Sequence, residues 1–274
     1  MNYPVYKLRD WVKEEKLNKY NLYYNPNAID YLLKNSERIY IHWFSSNPNA
    51  IHLLQKADCI DWEELSKNPN AIHLLENNID YIDWDYLSSN PKAIELLKRN
   101  PNKINWTILS ANPSAMELLK KNLEKIDWEN LSANPSAMEL LKKNPNKIYW
   151  NLLSLNNNPE AIELLKKNKN KIDWELLCAN TNPLAMDLLE ENINKINWHI
   201  LSRNPSAIDL LKKNPDLIDW YNLTCNPSIF ILDYEQMKLN IQPLEEDLLK
   251  AVLHPRRVFR NIELYGYDLD DMFD

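Results

Sequence analysis

The segments NPSAMELLKKNLEKIDWENLSA (residues 112–133) and NPSAMELLKKNPNKIYWNLLSL (residues 134–155) are successive copies of one pattern, and that pattern decides the fold. Asn-Pro recurs at Asn25, Asn47, Asn68, Asn90, Asn112, Asn134, Asn158, Asn182, Asn204 and Asn226, with steps of 22, 21, 22, 22, 22, 24, 24, 22 and 22 residues. A short fixed period marks an array in which each unit buries its apolar face on its neighbours. Asn-Pro is a helix start, because asparagine caps an orphan N–H and proline at the first position gives up no hydrogen bond. Ala115, Met116, Leu118 and Leu119 then follow at helical spacing. Lys120-Lys121-Asn122 ends the helix: the cations suit its negative pole, and asparagine tolerates a left-handed cap. Pro101, Pro145 and Pro215 directly follow that asparagine in three copies and oppose continuation. Asp127-Trp128 opens a second helix, with the aspartate as cap. Each unit therefore reads as an αα-hairpin of about 22 residues.

The expected fold is all-α: a right-handed α-solenoid of about ten short αα-hairpin repeats with a helical C-terminal cap. Residues 1–24 form an N-terminal cap and partial first repeat, 25–227 the tandem hairpins, and 228–274 the cap and tail. At ~9–10 Å per stacked hairpin, such a solenoid is roughly 90–100 Å long. Trp62, Trp84, Trp106, Trp128, Trp150, Trp174, Trp198 and Trp220 hold one register and are expected in the core. Each stands six residues before the next Asn-Pro, or eight after Trp150 and Trp174; Ile41 holds the equivalent position ahead of Asn47. The copy with Asp58-Cys59 is one residue short, and two-residue insertions within 156–158 and 180–182 lengthen one edge of the stack. A leucine-rich repeat needs a second leucine after Trp-x-x-Leu, and serine stands there.

One glycine among 274 residues leaves no glycine-rich phosphate loop, and a net charge of −7 argues against nucleic-acid binding. Cys59, Cys178 and Cys225 have no paired spacing, and no apolar run approaches a membrane span. These features point to a soluble chain in a reducing compartment, without cofactor, metal, nucleic-acid or membrane partner, and slightly favour a monomer. Residues 228–274 carry ten acidic and five basic side chains, so the tail is more acidic than the rest.

The variable position in A-I-x-L-L holds Asp30, His52, His73, Glu95, Glu117, Glu139, Glu163, Asp187 and Asp209. Stacking aligns these nine into an exposed ladder, a candidate partner-binding stripe. The competing reading pairs each acid with a lysine three or four residues on, as Glu117 with Lys120 or Lys121. His52 and His73 neighbour one another in the ladder, but further metal ligands are not evident. His42, His199 and His254 complete the histidines, and none joins a catalytic motif. A base-reading helical repeat varies two or three side chains per unit, whereas this ladder hardly varies and is acidic. In the tail, a helix is expected over Pro243–Leu253 and another over Arg256–Leu264, where Arg256, Arg257 and Arg260 are docking candidates.

NPNAIHLLQK, NPSAMELLKKNPNKIYW and KIDWENLSANP resemble the short tandem repeats of a large protein family encoded by giant DNA viruses of the mimivirus type. The opening KLRDWV…KLNKYNLYYNPNAI is similar to that family's entry into its first repeat, with Lys19 and Tyr23 replacing its Trp and Ser. LHPRRVFRNIELYGYDLDDMF resembles a C-terminal segment of many giant-virus proteins. The resemblance implies a viral origin and a repeat architecture but supplies no activity. The expected function is a non-catalytic scaffold or adaptor that holds a host or viral protein, in the host cytoplasm, the viral factory or the virion. A structural component built by lateral packing is the alternative.

Overall fold

The computed structural model describes residues 4–36, 39–55, 57, 59–252 and 254. It is an all-α repeat solenoid whose contacts divide it into two bodies, Leu8–Phe230 and Met1–Lys7 with Ile231–Asp274. In the seven units from Asn68 to Cys225 the chain runs out along one short helix, turns through a 3-10 segment and returns along a Trp-bearing helix, as in Met116–Lys120, Leu123–Lys125 and Trp128–Ala133. The caps are those the sequence dictates: Asn112 Oδ1 accepts from Ser114 N, and Asp127 Oδ1 from Asn130 N at 2.8 Å.

The end of the first helix differs from expectation. Asn122 sits at φ −136°, outside the left-handed region. Its Nδ2 instead donates to Leu118 O at 2.9 Å, satisfying an orphan helix carbonyl. Asn78, Asn100, Asn144, Asn168, Asn192 and Asn214 do the same to the carbonyl four residues back. With the side chain as the cap, these seven turns need no glycine.

Two hydrogen-bond ladders join the units. A buried asparagine in each donates through Nδ2 to two carbonyls that flank the preceding Asn-Pro corner, as Asn134 does to Ser110 O and Asn112 O, both at 2.9 Å. The second ladder runs from the backbone N–H at the head of each Trp helix to a hydroxyl in the unit before, as Asp127 N to Ser110 Oγ at 3.0 Å. Cys178 replaces the serine once, and its Sγ accepts from Asn197 N. Burial pushes its thiol pKa up, which keeps it a neutral acceptor.

These ladders close on themselves. Asn25 Nδ2 donates to Thr224 O and Asn226 O, both at 2.9 Å, and Asn18 N donates to Thr224 Oγ1 at 3.0 Å. Asn21 Nδ2 reaches Tyr221 O and Arg9 Nε reaches Ser228 O. Lys16 lies 5.0 Å from the Trp220 ring centroid, as Lys125 lies 4.5 Å from that of Trp106. Leu8–Phe230 is therefore a closed ring of ten units, not a rod of 90–100 Å. Nine units are continuous; the tenth takes its first half from Asn226–Phe230 and its second from Leu8–Tyr24. Strands Tyr6–Leu8 and Phe230–Leu232 pair where the two ends meet. The last unit's open face is covered by the first unit, through the same contacts that join all the others.

Two further expectations need correction. In the lengthened units the ring asparagines are Asn156 and Asn180, not Asn158 and Asn182, which cap their helices and donate to Pro135 O and Asn157 O instead. Every motif tryptophan then stands six residues before its ring asparagine, and the insertions meet each other through Thr181 N to Asn157 Oδ1. The eight tryptophans are half-buried rather than core; Ala, Leu, Ser and Asn fill the fully buried positions. An indole at the mouth of the hairpin is too large to sit between helices already in contact through Leu and Ser. The shortened copy's Asp58 lies outside the described residues.

In the second body, Val5 O accepts from Asp233 N and the helix runs Tyr234–Val252, straight through Pro243. Asp233 is the start signal, since its Oδ1 accepts from Gln236 N. The second tail helix, with Arg256, Arg257 and Arg260, lies outside the described residues.

Candidate interaction surface

The first helix of each unit buries its alanine and second leucine and turns the residue between Ile/Met and Leu-Leu outward. His52, His73, Glu95, Glu117, Glu139, Glu163, Asp187 and Asp209 are exposed and Asp30 is half-exposed. The candidate stripe exists, but it is not purely acidic. Glu95 pairs with Lys98 at 2.8 Å, Glu117 with Lys121 at 2.8 Å, and Glu163 with Lys166 at 3.4 Å. Glu139 takes Lys143 of its own helix and Lys120 of the preceding unit, and Lys142 reaches on to Glu160. His73 lies against Gln55. Asp30, Asp187 and Asp209 form no ion pair among the described residues. Within the described residues no three His, Cys, Asp or Glu side chains converge as a metal set.

Hydrogen bonds from Lys121 to Glu117, and from Lys143 and Lys120 to Glu139, hold both carboxyls below the usual glutamate value. A depressed folded-state value stabilises the fold above the unfolded pKa, and that contribution is lost as pH falls through the folded value. Carboxyl titration by NMR is expected to find both groups below 4.5, moving toward it as salt screens the exposed pairs. A Glu139→Gln change is expected to remove the second shift and leave Glu117 largely as it was.

On the inter-helix edge, His199 Nδ1 lies 2.6 Å from Asp219 Oδ2 in the next unit. Partial burial pushes the Asp219 carboxyl up, but the Asn222 N–H, His199 and the Tyr221 N–H outweigh it and hold the pKa down. The Ser202 hydroxyl nearby donates to Trp198 O and accepts from Asp219 N, so it is committed to the fold.

The two edges of the ring differ. All Asn-Pro corners lie on one edge, where the asparagine ladder runs, and the turns within the hairpins, such as Leu123–Lys125, lie on the other. Along the turn edge, Lys125, Lys147 and Lys171 sit 4.5, 5.3 and 4.0 Å from the Trp106, Trp128 and Trp150 ring centroids of the unit before. Tyr81 replaces the lysine once and stacks on Trp62 at 5.0 Å. Ile79, Leu123 and Ile193 open their 3-10 turns exposed, and Leu217, Tyr149 and Tyr221 are exposed beside them. The sequence reading passed over these residues. Their signal lies in the place that proline holds in three units, where an aliphatic residue stands in others with no helix face to bury it.

The chain matches no family model, no curated protein and no solved structure.

Proposed function

We propose that the protein is a non-catalytic interaction scaffold or adaptor of a giant virus, acting in the host cytoplasm or the viral factory. The observation that carries this reading is the division of labour between positions. Asn, Ser, Ala and Leu at equivalent places are buried and spent on closing the ring, while outward positions at the inter-helix turns, such as Ile79, Pro101, Leu123 and Lys169, change from unit to unit. A rigid frame with variable outward side chains suits recognition of one protein partner, a warrant that comes from architecture.

The second reading, a structural component of the particle packed side by side, draws on the Lys120–Glu139 and Lys142–Glu160 pairs, which show that outer-face charges can link separate units. Affinity capture from infected host cells distinguishes the two readings. The intact chain and a version ending at Leu232, which retains the closing contacts, are compared by mass spectrometry. One stoichiometric host or viral protein on both forms supports the scaffold; loss with the tail places docking on residues beyond 232. Recovery of particle components alone overturns the scaffold in favour of the structural role.

A further inference from the structure

We propose that the open face around Trp43 is a docking site for an arginine-bearing peptide segment of a partner protein. This inference rests on the scaffold reading and names the chemistry of what the scaffold holds. In the helix Trp62–Ser66, Leu65 and Ser66 are buried, which leaves Glu63 exposed and Glu64 half-buried on the far side. In the neighbouring units Tyr20 and His42 occupy the place of Glu63, Trp43 and Tyr86 that of Glu64, and Tyr24 that of Lys67. Trp43, two places out of the tryptophan register, therefore belongs to this open face.

The patch is continuous. The Tyr20, Tyr24 and His42 rings lie 5.6, 6.1 and 5.9 Å from that of Trp43, centroid to centroid. The buried Tyr23 backs the indole at 6.0 Å and packs on Phe44 at 4.9 Å. Burial, then the Glu64 and Asp61 carboxylates, push the Tyr24 phenol up, so negative field reaches these rings. Glu64 pairs with Lys67 at 2.7 Å, and Lys67 lies 5.0 Å from the Tyr86 ring centroid. A hydrogen bond to Glu63 pushes the Tyr86 phenol up in turn.

Charge and ring chemistry identify the occupant. Asp61, Glu63, Glu64 and Asp85 stand here against Lys67, which Glu64 already holds. Lys19, next to Tyr20, lines a separate cavity with Glu14 and Glu15. The patch therefore attracts cations and repels phosphate. Elsewhere in the ring indoles already take a cation, as Trp106, Trp128, Trp150 and Trp220 do from lysines. Arginine suits the site better than lysine, because its planar guanidinium stacks on rings and pairs with a carboxylate through two parallel hydrogen bonds. The Tyr20 and Tyr24 rings stand at 37° and 63° to the indole, an inclined set rather than the flat platform a sugar needs. Tyr23 fixes Trp43 in advance, which lowers the entropic cost of binding.

Fluorescence anisotropy of a labelled dodecapeptide repeating Gly-Arg-Ser, titrated with the intact chain, tests this. The expected dissociation constant is about 10–100 µM at low salt, weakening as salt screens the carboxylates. Trp43→Leu is expected to weaken it at least about tenfold. Tyr20→Ser with Glu63→Gln, both at exposed positions, is expected to do the same with circular dichroism and the unfolding midpoint unchanged. Tyr149→Ser, on the turn edge, is expected to leave binding as it was. No binding at about 1 mM, equal affinity for a Gly-Lys-Ser peptide of the same length, or full binding by the Tyr20/Glu63 variant overturns the proposal. So does tighter binding of chitohexaose, which would make the rings a sugar site. Each such failure leaves the scaffold reading standing, because capture from infected cells reports a partner held on any surface.

Discussion

Replacing Asn134 with aspartate is expected to destabilise the protein by about 3–5 kcal/mol near neutral pH, although the change swaps one amide for a carboxylate of equal size. Asn134 is fully buried, and its amide does three things at once. Nδ2 donates to Ser110 O and Asn112 O, and Oδ1 accepts from Ser136 N at 2.9 Å. Aspartate keeps the acceptor but loses both donors, leaving two buried carbonyls facing a negative charge. Each unsatisfied buried group costs about 1–3 kcal/mol, and an uncompensated buried charge more. Desolvation and those carbonyls raise the new carboxyl's folded-state pKa above its unfolded value. The penalty is then largest above the folded value and shrinks as pH falls through it, because a protonated carboxyl regains one donor. Chemical unfolding at pH 7 and pH 4, beside Asn146→Asp on the exposed turn, isolates the effect. Equal midpoints for the two variants would remove the asparagine ladder from the account.

Removal of residues 1–18 is expected to loosen the far end of the ring as much as the near one. The deletion strips Asn18 N from Thr224 Oγ1, Arg9 from Ser228 O and Ile229 O, Lys16 from Trp220, and the buried Val12 from the composite unit. Burial of one valine contributes about 1.5–3 kcal/mol and a helix cap about 1 kcal/mol. Local stability around Trp220–Leu223 should therefore fall by about 3–4 kcal/mol, a factor of a few hundred in amide exchange. Hydrogen exchange measured segment by segment decides the matter. In an open solenoid the damage decays from the N-terminal units and never reaches residues 201–226. Unchanged protection at Leu201 and Leu223, with loss confined to Leu22 and Leu32, would show that the ring is not closed in solution.

Much of the local structure was legible because short-range rules govern it. Asn-Pro starts, aspartate caps, the buried Leu pair and the lysine partners of Glu117 and Glu139 all follow from spacings of two to four residues. The left-handed cap at Asn122 was misread because two asparagine solutions exist for a helix end, and the side chain's reach to Leu118 O was chosen over the backbone conformation. The tryptophans were misplaced for a different reason. Size and periodicity mark them as packed, but only the distance between neighbouring Trp helices shows that no space remains for an indole between them.

Asn156 and Asn180 illustrate the limit of motif reading. Proline made Asn158 and Asn182 look like the repeat starts, yet the ring is built by the residue six places after each tryptophan. The ladder of Asp30 to Asp209 was correctly placed as a set of equivalent positions with lysine partners on the same helix, but the second partner of Glu139 came from a neighbouring unit. Lys120 belongs to one hairpin and Glu139 to the next, so no single copy encodes their contact. The apolar turn edge escaped notice because its members, Ile79, Leu123 and Ile193, are scattered substitutions at a place that proline holds elsewhere.

By itself the sequence determined the period, the helical hairpin, its N-terminal caps and the buried Ala and Leu positions, because each depends on interactions within one unit or with an identical neighbour. Closure was decided only by the tertiary structure. Ten units complete a circle when each turns by about 36° relative to the last, and that angle is the sum of many small packing choices at every junction. No residue pattern states such an angle. The contact that proves it, Asn25 with Thr224 and Asn226, joins residues about 200 positions apart that look in sequence like any other pair of units.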